Sequence, residues 1–481
     1  MLRKIDEYPD YSGYIAAIEK GGITEELINK IINKHVNNSA HTRELYDRYK
    51  TREDAVPIFS REPRFTHEDS EIEELNNQVN NDFFSEIADI AVGYFAGKAA
   101  AYKYADTGAE ESDAATEAAQ KLLEDFVTRN NMFDVNMETT KYATICGYSG
   151  RLFYIDKDGN ERVMPVAPFE AAILFKNEMT EPSYGVRYYK TVDINDAESY
   201  KAEFYDDKYI YYYEGQLGSL AFKKKELHLF DFCPLQGIPR NRELLGDAEK
   251  VLALIDDYDK TVSDNSNDIE GNTNAHMVFQ NVIIDDTNMQ KARKSGAFQF
   301  SGMGTDSKVY YLTKEVNDGF NEHHLARLED NIYRFSKTPN LNSDKFGEAS
   351  GISLKFKITG LESKCSTFEA KCVSADTYMF KLLASVFSKK RAAFDPLQCY
   401  VTYKRNFPMD LVSEAQTVQS LVNAGVPKKI AFEQLSFVDD VDYIMDEIEE
   451  EKEAIPSLMQ MLPEDNEDTE DNKPKEGIET N

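Results

Sequence analysis

The chain has 481 residues, 41% of them apolar, with 28 Tyr and 28 Phe and a formal net charge of −31. That length predicts two to four compact units at roughly 100–200 residues per domain, and the apolar and aromatic content excludes a disordered chain. The acidic balance excludes the basic footprint of a sequence-specific DNA binder, so any DNA that the protein meets is held loosely.

No run of about 18 apolar residues exists; the best stretch, residues 87–104, is broken by Asp89, Lys98 and Lys103. The first residues, MLRKIDEYPDY, lack the apolar centre of a signal peptide. The expectation is a soluble chain, made and kept in a cytoplasm, with no membrane partner. The five cysteines, Cys146, Cys233, Cys365, Cys372 and Cys399, are scattered, odd in number and free of CxxC pairs. They are predicted to be small buried side chains rather than a disulfide framework or a metal site.

A helix is predicted over 24–50, capped by Thr24, with Leu27, Ile28, Ile31 and Ile32 on one face. A polar stretch follows at 51–75. Helical spacing over 80–104 places Ile87, Ile90, Ala91, Tyr94 and Phe95 on one side; residues 105–115 read as a loop and 116–131 as a further helix. The pattern then turns to β. Residues 151–154 and 162–166 flank Asp158-Gly159, a hairpin signal, and strands are predicted at 185–192, 201–204, 209–213 and 228–232. A long helix capped by Asn241 is predicted to run to about Gly271, amphipathic at first and polar all round in its second half, the pattern of a helix that ends in water or beside a water-filled space. An insert over 275–318 contains strand-like pieces at 277–284 and 308–312 around a short helix near 287–294. Helices are predicted at 321–337 and 354–394, the latter interrupted near Thr359-Gly360. A strand at 398–403 and short helices at 413–424, 428–435 and 439–453 complete the chain, with Gly425 as a helix stop. Residues 439–481 hold 17 acids and 3 bases, which predicts a solvated acidic tail, disordered beyond Pro456.

Motifs that carry chemistry are missing. The sequence has no GxxxxGK[ST], HExxH or GxSxG. Gly302-Met303-Gly304 lacks the third glycine and following helix of a nucleotide site. His323 and His324 are adjacent on a helix, so their side chains point apart and are read as solvated. Asp256-Asp257, Asp285-Asp286 and Asp439-Asp440 have no third ligand at motif spacing and are read as exposed charge. Neither an enzyme activity nor a cofactor is expected.

Five segments, in order, resemble the portal or head–tail connector proteins of long-tailed, double-stranded DNA bacteriophages. NNDFFSEIADIAVGYFAGKAAAYKYAD (80–106) is similar to the helix that leads into the family's wing. TICGYSGRLFYIDKDGNERVMPVAPFEAAILF (144–175) looks like its wing sheet, and PRNRELLGDAEKVLALIDDYDKTVSDNSNDIE (239–270) like its first stem helix. KTPNLNSDKFGEASGISLKFKITGLE (337–362) resembles its tunnel loop and the start of the helix behind it. RNFPMDLVSEAQTVQSLVNAGVPKKIAFEQLSFVDDVDYIMDEIEEE (405–451) looks like its crown.

The resemblance implies an α+β portal fold: wing (1–238), first stem helix (239–272), clip (273–319), second stem helix (320–338), tunnel loop (339–352), long wing helix (353–394), crown (395–455) and acidic tail (456–481). It also implies a dodecameric ring at one capsid vertex that packages and releases the genome. The partners it implies are double-stranded DNA held weakly, the terminase large subunit, a head-completion adaptor, the major capsid protein and a scaffolding protein. Within that fold the tunnel-loop candidates are Asn340, Asn342, Asp344, Lys345, Phe346 and Glu348, with Lys345 the cation best placed to meet phosphate. Helix register sets Asp257, Asp264 and Asp268 within about 40° of one another at roughly 100° per residue; that stripe either lines the channel, faces bulk water or pairs with a neighbouring subunit. The alternatives are another structural head or adaptor protein, which would not need long paired helices around an insert, and a metal-dependent nucleic-acid enzyme, which would need clustered carboxylates.

Overall fold

The computed structural model describes residues 9–63, 75–104, 114–176, 181–273, 276–280, 308–312, 318–341, 356–406 and 411–432, with short pieces between 435 and 448. Helices and antiparallel sheets are mixed, as an α+β chain requires. The chain divides into two units, Met1–Asn406 and Phe407–Asn481.

In the first unit, helix α1 (Ser12–Gly21) precedes α2 (Glu25–Tyr49), which Thr24 caps as expected by accepting from the Leu27 N–H at 3.2 Å. Helix α3 (Phe83–Ala96) is shorter than its periodicity suggests, and Ala101–Tyr104 is strand β1. The sequence expectation of helix to Tyr104 fails because β1 has a partner about 300 positions away: it pairs antiparallel with β12 (Cys399–Thr402). At Gly97 a Cβ would collide with Asn406, whose N–H donates to the Tyr94 carbonyl at 2.9 Å.

Helix α4 (Ala114–Arg129) matches its expectation, but α5 (Met132–Cys146) lies where no element was expected. Its buried face carries Asn136, Thr139, Thr140 and Thr144, polar residues that do not read as a core stripe. The hairpin is present as β2 (Tyr148–Ile155) and β3 (Glu161–Val166). Asp156 organises its turn by accepting from the N–H groups of Asp158 and Asn160 at 3.0 and 2.8 Å, and the Asn160 N–H, ahead of Arg162, holds its carboxyl down at about 2.

A five-stranded antiparallel meander follows: β4 (Ala171–Phe175), β5 (Pro182–Val192), β6 (Glu198–Tyr205), β7 (Tyr209–Gln216) and β8 (Ser219–Leu227). One face buries Leu174, Val186, Phe204 and Tyr213 against Ile15, Ile28, Ile31 and Ile32 of α1 and α2. The strand expected at 228–232 is absent, because Leu229 takes a left-handed φ of 69° and ends the extended run after β8. Strand β9 (Leu235–Pro239) returns to pair with β2.

The long helix expected from Asn241 begins eleven residues later, as α6 (Leu252–Thr273) after a short 3₁₀ turn at Glu249–Val251. Leu244 is left-handed at φ 56°, and the Asn241 side chain closes a turn onto the N–H and C=O of Leu245 at 2.9 and 2.7 Å instead of capping a helix. Strands β10 (His276–Gln280) and β11 (Lys308–Leu312) pair antiparallel; the expected helix near 287–294 lies outside the described residues. Helix α7 (Asp318–Ser336) matches its expectation, and helix α8 (Thr359–Lys389) follows the expected interruption, a turn at Ile358, but ends five residues early because Arg391 takes a left-handed φ of 61°.

At the centre of α8, Asp376 receives Arg151 Nη1 at 2.7 Å, both side chains at 1% exposure or less. Asn136 accepts from Arg151 Nη2 at 2.7 Å and Tyr403 donates to the other Asp376 oxygen, so one buried network ties β2, α5, α8 and the end of β12. Four of the five cysteines are buried, and no disulfide joins them among the described residues.

In the second unit α9 (Leu411–Asn423) is followed by Gly425 at φ 87°, the left-handed stop expected there, and by α10 (Lys428–Phe432). Scattered described residues between 441 and 448 are helical; the acidic tail lies outside the described residues.

Candidate functional site

Helices α6 and α7 form an antiparallel pair. Ile255 packs with Ile332, the Asn321 amide donates to Asn265 at 2.9 Å, and Phe83 meets both Tyr258 and Tyr333 edge-on at 4.9 and 5.8 Å. Burial, with Glu86 as hydrogen-bond partner, raises the Tyr333 phenol.

The polar second half of α6 is not simply solvated. Asp259, Ser263 and Asn267, spaced at i, i+4 and i+8, form a ladder on one face. An extended segment at 77–81 lies along it: the backbone N–H groups of Asn81, Val79 and Asn77 donate to Asp259 at 3.0 Å, Ser263 at 3.0 Å and Asn267 at 2.7 Å. Alternate N–H groups of an extended chain point the same way, and helix side chains four apart share a face, so the two periodicities meet. Asp259 and Ser263 are buried by this contact. Burial raises the Asp259 carboxyl, while Asn81 opposes that shift.

The sequence-predicted stripe sits beside this ladder. Asp257 is exposed, with His324 Nε2 of α7 at 3.5 Å. Asp264 is half-buried and ion-paired to Arg61, and Asp268 is half-buried. The stripe therefore shares one side of α6, but the charge of Asp264 is already balanced within the chain. Arg48 and Asp256 form a second such pair at the base of the helix. His323 is exposed, and His324 half-buried. Of the loop candidates, Asn340 is half-buried and donates to Glu329 at 2.8 Å, fastening the chain back onto α7. Asn342, Asp344, Lys345, Phe346 and Glu348 lie outside the described residues.

Below the helix pair the segment 240–250 wedges against α5 and β2. Gly147, at φ 77°, has no room for a Cβ, which would lie 2.0 Å from the Leu244 carbonyl oxygen. Arg240 grips Asp247 with Nε and Nη2 at 2.9 and 2.8 Å, and Lys364 reaches the same carboxylate at 2.8 Å. Burial works against ionisation of Asp247, but Arg240 and Lys364 outweigh it and hold the carboxyl below its usual range. Sequence spacing carried no sign of this cluster, since Lys364 lies more than a hundred residues from Asp247. Among the described residues no group of three His, Cys, Asp or Glu side chains is placed to hold a metal ion, and no helix is long and apolar enough to cross a membrane.

The family described as "Phage portal protein, SPP1 Gp6-like" matches residues 28–457. The chain belongs to the phage portal protein family. Over 371 residues it is 23% identical to the portal protein of Bacillus phage SPP1, covering 72% of this chain and 73% of that one. It is also 23% identical over 240 residues to the portal protein of Clostridium phage phiCD119, covering 49% of this chain and 52% of that one. Portal proteins are structural components of the phage head: they assemble as the ring through which the genome is packaged, at the junction of head and tail. As a portal family member this chain is a virion capsid component that assembles with itself and with other head proteins.

Proposed function

We propose that this chain forms a dodecameric portal in which α6 and α7 are the stem, the β10–β11 insert is the clip, residues 339–352 are the tunnel loop and 395–455 are the crown. The supporting observation is the stem itself: α7 covers one side of α6 and the 77–81 segment covers a second. The side carrying Asp257, Lys260 and Asp268 is left exposed or half-exposed. In a ring that acidic side faces DNA, where like charge discourages grip, and Lys345 of the tunnel loop supplies a salt-dependent phosphate contact. Motor work comes from a separate terminase large subunit docked at the clip; a head-completion adaptor, the major capsid protein and a scaffolding protein are the further partners, with assembly in the host cytoplasm and genome release through the same channel.

Negative-stain imaging and mass photometry of the purified full chain test this. Rings of about a dozen subunits with a central hole are expected. A stable monomer or dimer at micromolar concentration, at both low and high salt, refutes the assembly. Lys345→Glu is expected to leave rings intact and to reduce packaged DNA; normal packaging by that variant removes the loop from the DNA contact.

A further inference from the structure

The end of α7, the start of α8 and the segment 240–250 line a solvent-open cavity of about 190 Å³. At roughly 30 Å³ per water in the liquid, that space takes a tetrahedral oxyanion together with a few waters. Four cations, Arg240, Lys250, Lys337 and Lys364, line it against two carboxylates, Glu243 and Asp247. In a chain with a net charge of −31 this is a local reversal of sign.

Asp247 does not consume that excess. Its carboxylate is shared by Arg240 and Lys364, one anion between a buried and a half-buried cation. The Arg240 side chain is 1% exposed, and its remaining Nη1 has no hydrogen-bond acceptor among the described residues. Its guanidinium, stacked on the Phe368 ring at 4.6 Å, therefore acts on the cavity through its charge, which one shared carboxylate leaves in excess. Lys250 and Lys337 are exposed at the rim, where they add charge without an ion pair among the described residues. Burial lowers the affinity of the Lys364 ammonium for its proton even with Asp247 beside it, so a second anion there would favour the charged form.

We infer that this cavity binds a phosphate group, using Lys364 from its floor and Lys250 and Lys337 from its rim, with the buried Arg240 guanidinium adding positive charge behind the floor. Two unbalanced positive charges suit a phosphate group, whose several oxygens accept from floor and rim together, better than a single carboxylate. The bound group would cross-tie Lys337, at the end of α7, to Lys364 in the first turns of α8. Both free inorganic phosphate and a DNA backbone phosphate offer this chemistry.

Isothermal titration of the full chain with inorganic phosphate, at ionic strength held constant with chloride, tests the site. Saturable binding is expected in the wild type, together with line broadening of the phosphate ³¹P resonance. The double variant Lys250→Glu, Lys337→Glu changes only exposed side chains and is expected to bind at least about tenfold more weakly, with an unchanged circular dichroism spectrum. A short duplex oligonucleotide that displaces phosphate assigns the site to the DNA backbone, and one that does not displace it assigns the site to the free ion; either upholds the pocket. Phosphate heats indistinguishable from chloride exchange, or equal affinity in the double variant, overturn it.

Discussion

Removing the Asp376 carboxylate is expected to be among the most damaging single changes in this chain. Arg151 and Asp376 are 1% and 0% exposed and 2.7 Å apart, so neither charge has water as a substitute partner. In Asp376→Ala, Arg151 keeps Asn136 at 2.7 Å and a long contact to Thr139 at 3.4 Å, both neutral acceptors. Breaking a buried pair from one side costs about 3–5 kcal/mol, because the surviving charge stays desolvated. Removing both charges with packable side chains, Arg151→Met with Asp376→Leu, is expected to return the stability to within about 1–2 kcal/mol of wild type by the same reasoning. Urea titration followed by far-ultraviolet circular dichroism reads both values. Protein concentration is held fixed because subunit association shifts apparent stability. The reasoning is refuted if Asp376→Ala costs less than about 1 kcal/mol, or if the double variant is no more stable than the single one.

His35 is buried in contact with Tyr188 at 2.7 Å, and burial lowers its pKa from 6.5 to about 4, with the Pro168 carbonyl opposing. The unfolded chain therefore binds the extra proton first: stability is complete above about 6.5 and declines by about 3 kcal/mol as pH falls towards 4, and His35→Gln should flatten that part of the urea-midpoint profile. Gly147→Ala forces an alanine into a left-handed conformation and against the Leu244 carbonyl; a loss of at least about 1–3 kcal/mol is expected, and an unchanged midpoint would count against the tight junction. Asp259→Ala strips the acceptor from both the backbone and side-chain N–H of Asn81, so amide exchange at 77–81 should accelerate by an amount equivalent to about 1–3 kcal/mol; unchanged protection there would mean that the ladder does not hold the segment.

Local signals carried much of the fold. Thr24 ahead of an apolar stripe placed α2, Asp158-Gly159 placed the β2–β3 hairpin, alternating Tyr, Val and Phe placed β5 to β7, and Gly425 placed the stop after α9. The five ordered resemblances pointed to the portal family, which the match over 28–457 bears out. Each of those signals is written within a few residues of the element that it specifies.

What the tertiary structure decided has a common cause: the partner is far away in the chain. Residues 101–104 continue a helical pattern but become β1 because Cys399–Thr402 supplies a strand to pair with. Helix α5 escaped notice because Asn136 and the threonines look polar until Arg151 and Asp376 turn that face into a buried network. Asp264 reads as part of a free acidic stripe until Arg61, about 200 residues upstream, neutralises it. The phosphate pocket joins Arg240, Lys337 and Lys364, which share no sequence neighbourhood. Periodicity reports which face of an element is apolar, since burial of apolar surface is local and non-directional. Hydrogen bonds and ion pairs need a particular atom at about 3 Å, and only the folded chain brings that atom there.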